Sequence, residues 1–270
     1  NTFDISLPVA PSSISLLDPV SSPSNDPSPQ LNVGGVVIGH TLKVFDNNTC
    51  TGPELTSIVV SSDPMPITIS PDLTEASYNF YATQEDGGAN SSPCSTATLN
   101  YELDMTAPLD ATLLNLAASY APSATTAPAF TWTASLSPDL NLQEVALGTS
   151  VGANDVVDYS APDTPSSHNF TGLSLTECNA GLPTYYPSIR SSDLAGNSVV
   201  TSLGVGFVLD TTPPGTPGSP SLGSDAGSDR AVTASWAAST EACAMNFYEI
   251  AIGTTPGGTD ILNWHNVGNV

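Results

Sequence analysis

The chain has 270 residues, with 3 Lys+Arg against 26 Asp+Glu and a formal net charge of -23. Charged residues make up only 11% of it, against about 25% in ordinary domains, so the acidity comes from a scarcity of bases, and about a quarter of the positions are Ser or Thr. Lys43, Arg190 and Arg230 cannot build the basic face that nucleic acid or an anionic membrane surface requires, and no run approaches the roughly 18 apolar residues of a membrane span.

At roughly 100–150 residues per domain, the length accommodates two or three domains. Residues 1–13 read as an extended N-terminal segment. Asn1 follows neither Met nor a charged-then-apolar leader, so a mature secreted product, or a fragment of one, is expected. Two short patches alternate apolar and polar residues, Phe3-Asp4-Ile5-Ser6-Leu7 and Ile14-Ser15-Leu16-Leu17. Either has the pattern of a strand that could be donated to another molecule.

From residue 14 to 104 the pattern is that of β-strands. Leu42–Phe45, Ile58–Val60, Ile67–Ile69, Tyr78–Tyr81 and Ala97–Tyr101 are short runs rich in β-branched or aromatic residues. Turn clusters at Asp46-Asn47-Asn48, Ser62-Asp63-Pro64 and Asp86-Gly87-Gly88 separate them. Residues 105–109 read as a linker, and Leu109–Tyr120 is the one apolar stretch that could pass for a helix. A second strand-rich region spans 110–210, a Pro-rich linker 211–217, and a third region 218–270. Short strands at 8–12-residue spacing predict an all-β protein of tandem antiparallel sandwiches.

Internal repetition supports that division. Leu103-Asp104-Met105-Thr106-Ala107-Pro108 recurs as Leu209-Asp210-Thr211-Thr212-Pro213-Pro214. Trp132 followed by residues 144–159 matches Trp236 followed by residues 249–264, and Gly148 to Asp155 has the same spacing as Gly253 to Asp260. The third copy lacks counterparts of the later strands within these 270 residues, so its sandwich is expected to be incomplete. The remainder of a longer array, or a neighbouring molecule, would complete it.

With Trp132 on its second strand, Tyr185-Tyr186 opening a later one, and Asp193-Leu194-Ala195-Gly196-Asn197 as the turn that follows, the second region resembles a fibronectin type III domain. The first region, with Tyr81-Ala82 leading into Asp86-Gly87-Gly88-Ala89-Asn90, is similar to bacterial immunoglobulin-like repeats. Both end in an Asp-x-Thr-x-Pro linker of the kind that joins tandem domains in bacterial surface proteins. The resemblance implies a secreted, cell-surface protein of adhesin or fibre type.

Four cysteines without zinc-type spacing fit disulfides formed outside the reducing cytosol. Cys50 and Cys94 lie in one region and form the simple pair, although Asn47–Pro53 must fold back to bring them together. Cys178 and Cys243 lie in different regions. They could bridge across the second linker, or Cys243 could pair outside these residues and leave Cys178 free.

Neither His40, His168 and His265 nor the abundant Ser and Thr residues form a catalytic pattern, and no nucleophile elbow or phosphate-binding loop is present, so no enzyme is expected. No motif requires a cofactor. The acidic turns are the one metal-binding suggestion. Asp86, Asp104, Asp193, Asn197 and Asp210 offer hard oxygens of the kind calcium takes, and the resemblance implies calcium at linkers. Tyr159 and Trp264 are candidate exposed aromatics for stacking on a glycan. The expected function is a stalk or fibre, with copies of itself, a surface receptor or a glycan as partners. A self-assembling filament subunit and a carbohydrate-binding module of a secreted hydrolase are the alternatives.

Overall fold

The computed structural model describes residues 6–179, 183–223, 233–243 and 245–268. Phe3, Asp4, Ile5 and Arg230 lie outside the described residues. Among the described residues there is no helix, and none therefore long and apolar enough to cross a membrane. Two compact units are present. The first comprises Asn1–Asp110, Ser135–Leu142 and Ser191–Val199; the second comprises Ala111–Ala134, Gln143–Arg190 and Val200–Val270.

In the first unit the strands are β1 (Ser13–Asp18), β2 (Gln30–Gly34), β3 (Thr41–Phe45), β4 (Thr56–Val59), β5 (Met65–Thr68), β6 (Ala76–Glu85) and β7 (Leu99–Leu103). They form two antiparallel sheets, ordered β1-β2-β5 and β4-β3-β6-β7. The period of two that marked these runs has a direct structural counterpart, because alternate side chains of a strand point to opposite faces. Leu31 and Val33, Leu42 and Val44, Phe80 and Ala82, and Tyr101 and Leu103 all enter one core. Ile14 belongs to that core, and β1 pairs with β2 through Ile14 opposite Val33 and Leu16 opposite Leu31. The Ile14–Leu17 patch is therefore a strand of its own sandwich and is not free for donation.

Gln84 is fully buried on β6 and all its polar atoms are engaged. Its Nε2 donates to the carbonyls of Val9 (2.7 Å) and Gly35 (3.1 Å), while Oε1 accepts from the Val37 amide at 2.8 Å. This satisfies loop backbone groups that would otherwise be buried at a cost, and it ties the chain at Val9 to the sandwich.

The second unit carries most of β8 (Thr112–Leu116), β9 (Tyr120–Ala121), β10 (Phe130–Thr133), β11 (Leu140–Gly148), β12 (Val157–Ser160), β13 (Ser167–His168), β14 (Tyr186–Asp193), β15 (Ser198–Ser202) and β16 (Val208–Leu209). The helix-like stretch after Leu109 is strand β8, paired with β10. Two antiparallel sheets, β13-β10-β8 and β12-β11-β14-β15, are accompanied by a short parallel pair, β9 with β16. Phe130, Trp132, Val145, Leu147, Tyr185, Ile189 and Phe207 are among the residues of one core.

Residues 218–270 supply β17 (Ser221–Leu222), β18 (Ala234–Ser235), β19 (Tyr248–Ile252) and β20 (Leu262–Gly268), paired as β17-β18 and β19-β20. The repeat is visible in atomic detail at two hairpins. Thr149 donates to Asp155 from its amide (2.8 Å) and its hydroxyl (2.6 Å), and Thr254 does the same to Asp260 (2.9 and 2.7 Å). A Cβ at Gly148 would strike the Ala153 backbone, and one at Gly253 the Gly258 backbone. Glycine, threonine and aspartate are thus each required by the turn, which accounts for the shared spacing. The threonine hydroxyl bond, followed by that of its amide, holds both aspartates below the usual carboxylate pKa.

Trp132 and Trp236 differ. Trp132 is buried, at 4% exposure, against Phe130. Trp236 is only half-buried and meets Tyr248 edge-on at 5.8 Å.

Candidate functional site

Both linkers are held by the glutamate of a repeated Leu-Thr-Glu tripeptide, Leu73–Glu75 and Leu175–Glu177. At the first, Glu75, immediately before β6, accepts from the Met105 amide (3.2 Å) and the Thr106 hydroxyl (2.8 Å). At the second, Glu177 accepts from the Thr211 amide (2.6 Å), the Thr211 hydroxyl (3.0 Å) and the Thr212 amide (3.0 Å). The Thr211 amide is the main cause that lowers the Glu177 pKa below its ordinary value. Each glutamate thus satisfies linker amides that have no strand partner. The Asp-x-Thr repeat was legible in the sequence. The glutamates were missed, although Leu73-Thr74-Glu75 recurs as Leu175-Thr176-Glu177, because their distances to the two linkers differ.

Around the first linker, within the first unit, three carboxylates converge. Oxygens of Asp104, Asp139 and Asp193 lie within 4.8 Å of one another. Asp193 is 1% exposed. Its Oδ1 accepts from the Asn197 amide at 2.8 Å and its Oδ2 from Asn197 Nδ2 at 3.0 Å. Asn197 Nδ2 also donates to the Asp104 carbonyl at 2.8 Å. Asn197 therefore orients the cluster through its N–H groups. Asp104 Oδ1 accepts from the Thr106 amide at 3.0 Å. Of the described cations, Lys43 pairs with Glu85 and Arg190 with Glu144, so neither neutralises the cluster.

Of the five residues singled out in the sequence, Asp104, Asp193 and Asn197 come together here. Asp139 joins them unforeseen, because an aspartate in Ser-Pro-Asp reads as a turn former. Asp86 lies in a turn of its own, where Oδ1 accepts from the Gly88 (2.8 Å) and Asn90 (2.9 Å) amides. Asn90, through its side chain first and then its amide, lowers the Asp86 pKa. The Asp104/Asp139/Asp193 set is made of hard oxygens, the donors that calcium takes, and these three residues would hold it.

Around the second linker, within the second unit, the same positions carry different chemistry. Asp210 matches Asp104 in the repeat, and Cys243 stands seven residues after Trp236 as Asp139 does after Trp132. Cys243 is bonded to Cys178, with α-carbons 5.7 Å apart, and Asp210 lies against that pair. Asp210 Oδ1 is buried and has no hydrogen-bond partner among the described residues. A covalent link thus stands where the first linker has its carboxylate cluster.

Cys50 and Cys94 form the other disulfide, with α-carbons 5.4 Å apart. The Asn47 side chain achieves the fold-back: Oδ1 accepts from the Thr51 amide (3.2 Å) and the Thr49 hydroxyl (2.8 Å), and Nδ2 donates to the Thr51 carbonyl (3.1 Å). Cys50 takes a positive φ of 50° at the apex.

The two candidate aromatics occupy equivalent places but different surroundings. The Arg190 guanidinium on β14 lies 4.1 Å from the centre of the Tyr159 ring, covering one face. Trp264 on β20 is 61% exposed. It borders a cavity of about 280 Å³ lined also by Pro220, Trp236, Tyr248 and Ile250.

No protein-family model matches the chain, and no curated protein matches it. Among solved structures it is similar to the fibronectin(III)-like modules of Clostridium thermocellum CbhA, at 11% identity, covering 73% of this chain and 94% of that one, with a TM-score of 0.41. It is similar also to the FN1–FN3 domains of chicken CNTN1, at 14% identity, 97% and 85% coverage and a TM-score of 0.30. A two-domain fibronectin type III segment of chicken tenascin matches at 14% identity, 72% and 98% coverage and a TM-score of 0.29. Likenesses at these scores add nothing to the antiparallel all-β architecture that the chain's own strands establish.

Proposed function

We propose that this chain is a non-enzymatic extracellular structural protein, a segment of stalk or fibre in which β-sandwich modules follow one another through stiffened linkers. The observation that carries this reading is the repeated glutamate clamp, Glu75 on Met105 and Thr106 and Glu177 on Thr211 and Thr212. A free tether needs no such bonds, since an unclamped linker is solvated by water. The Cys178–Cys243 bond adds a covalent restraint at the second linker, and calcium on Asp104, Asp139 and Asp193 would restrain the first. The disulfides fit an oxidising compartment. The net charge of -23 would keep such rods apart in solution.

Small-angle scattering from the 270-residue chain tests the reading. A narrow distribution of long interatomic distances, broadened in a Glu75→Gln/Glu177→Gln variant, is expected. A broad distribution in the parent chain, unchanged by the two substitutions, would remove the mechanical role.

A further inference from the structure

Asp210 takes no part in either linker clamp. Its Oδ1 is shut off from water and has no hydrogen-bond partner among the described residues. A buried carboxylate oxygen left in this way carries an uncompensated desolvation cost, which a proton or a cation removes. What surrounds it is sulfur. One oxygen of Asp210 and the Sγ atoms of Cys178 and Cys243 all lie within 4.8 Å of one another. Among the described residues no such group forms round Cys50 and Cys94.

The backbone holds the three residues together without help from the sulfur–sulfur bond. The Cys178 amide donates to the Leu209 carbonyl at 2.8 Å, which sets Cys178 beside the residue that precedes Asp210. On the other side, the Gly215 amide donates to the Thr240 carbonyl at 2.9 Å, and the Cys243 amide to Glu241 Oε1 at 3.2 Å. Reduction therefore leaves two thiols and a carboxylate as neighbours. Cys178 is 2% exposed, while Cys243 and Asp210 are part-buried, so a reductant or an ion reaches the group from their side.

Two thiolates and one carboxylate are a donor set for zinc, whereas calcium takes oxygen alone. With zinc–sulfur bonds of about 2.3 Å, a tetrahedral ion needs its two sulfurs about 3.8 Å apart. Rotation about the Cα–Cβ bonds, from α-carbons 5.7 Å apart, supplies that separation.

We propose that Cys178, Asp210 and Cys243 of the reduced chain form a zinc site, with water as the fourth ligand, and that oxidation to the disulfide expels the ion. A dithiol, which becomes a disulfide itself, delivers two electrons and two protons to the sulfurs. Zinc then displaces both protons to solvent and takes the two thiolates and Asp210 Oδ1. Oxidation by a second disulfide removes two electrons from the thiolates, remakes the sulfur–sulfur bond and returns hydrated zinc to solvent. The second linker is thus restrained by a covalent bond in one redox state and by an ion in the other. The site goes beyond the stalk reading and does not rest on it.

The test titrates the 270-residue chain with zinc, and with cobalt(II) as its spectroscopic substitute, before and after reduction. The reductant is a phosphine, which becomes its oxide with oxygen from water. Expected for the reduced chain are one zinc by calorimetry, a sulfur-to-cobalt charge-transfer band, and a melting temperature that rises with zinc. The oxidised chain should show no such band, since cobalt on the carboxylate cluster at the first linker has only oxygen donors. Asp210→Asn can still form the disulfide. It should match the parent in circular dichroism when oxidised and bind zinc more than about tenfold more weakly when reduced. Cys243→Ser should lose the site, and Cys50→Ser/Cys94→Ser should keep it. A reduced chain that binds no zinc overturns the proposal. So does an affinity undiminished by Asp210→Asn, which is also what two thiols of an unfolded chain would give. Binding retained by Cys243→Ser would put the thiolates at Cys50 and Cys94 and overturn it as well. The scattering experiment uses the oxidised chain, so its outcome and this one are separate results.

Discussion

Glu177 accepts hydrogen bonds from both the amide and the hydroxyl of Thr211, at 2.6 and 3.0 Å, fixing the second linker where it leaves β16. The Thr106 hydroxyl meets Glu75 at the first linker at 2.8 Å. Two linkers of similar sequence are thus held by carboxylates from outside them. The modules differ in what reinforces the clamp: a carboxylate cluster in one case and a disulfide in the other.

The Glu177 clamp makes stability depend on pH in a defined direction. Hydrogen bonding, first from the Thr211 amide, lowers the folded pKa of Glu177 below 4.5. A depressed carboxylate pKa stabilises the fold above the unfolded value and loses that contribution as pH falls through the folded value. The melting temperature of Glu177→Gln should therefore lie below that of the parent at pH 7. The gap should close as pH falls below 4.5 and vanish once Glu177 is protonated in both states. Thermal melts of the two proteins across the acid range check this, and a gap independent of pH would assign the effect to shape alone.

The cluster of Asp104, Asp139 and Asp193 places like charges within 4.8 Å of one another. Repulsion of this kind is relieved by a cation or by removing one charge. In EDTA, Asp139→Asn should melt at a higher temperature than the parent. In millimolar calcium the parent should gain and the variant should gain less, so that the order narrows or reverses. Differential scanning calorimetry under the two conditions decides it. Absence of any calcium response in the parent would leave the cluster as an uncompensated repulsion.

The two disulfides close segments of 44 and 65 residues. In the chain-entropy account, each contributes about 4 kcal/mol by restricting the unfolded state. A Cys178→Ser/Cys243→Ser variant should lose about that much in the stability of the unit that contains it, while the first sandwich keeps its own transition. Denaturant unfolding followed by circular dichroism should then separate into two steps.

Much of the fold was legible because strands write a period of two. Leu42/Val44 and Phe80/Ala82 face one core as their spacing predicts, and the Gly148–Asp155 spacing records a turn that needs all its parts. Leu109–Tyr120 was ambiguous because short apolar runs suit either a helix or a strand, and only its pairing with β10 decides it. Of the site, Asp104, Asp193 and Asn197 were readable as turn acids beside linkers. Asp139 and Gln84 were not, because each acts on residues distant in sequence, and Glu75 and Glu177 were missed because the Leu-Thr-Glu tripeptide they share lies at a different distance from its linker in each copy.

Trp132 and Trp236 occupy the same place in the repeat, and their substitutions should separate a fully buried indole from a half-buried one. Trp132 is 4% exposed and packs on Phe130, so Trp132→Ala should cost about 3–5 kcal/mol. Trp236 is half-buried, and Trp236→Ala should cost about 1–2 kcal/mol, in keeping with the smaller area it removes from water. Trp132 also carries a buried Nε1 with no hydrogen-bond partner among the described residues. An unpaired buried donor of this kind costs about 1–3 kcal/mol. Trp132→Phe removes that donor while keeping most of the ring, so it should destabilise far less than Trp132→Ala. Urea melts of the three variants give the comparison. A Trp132→Phe cost equal to that of Trp132→Ala would mean that the indole nitrogen is satisfied in solution, by a bound water that the packing must then admit.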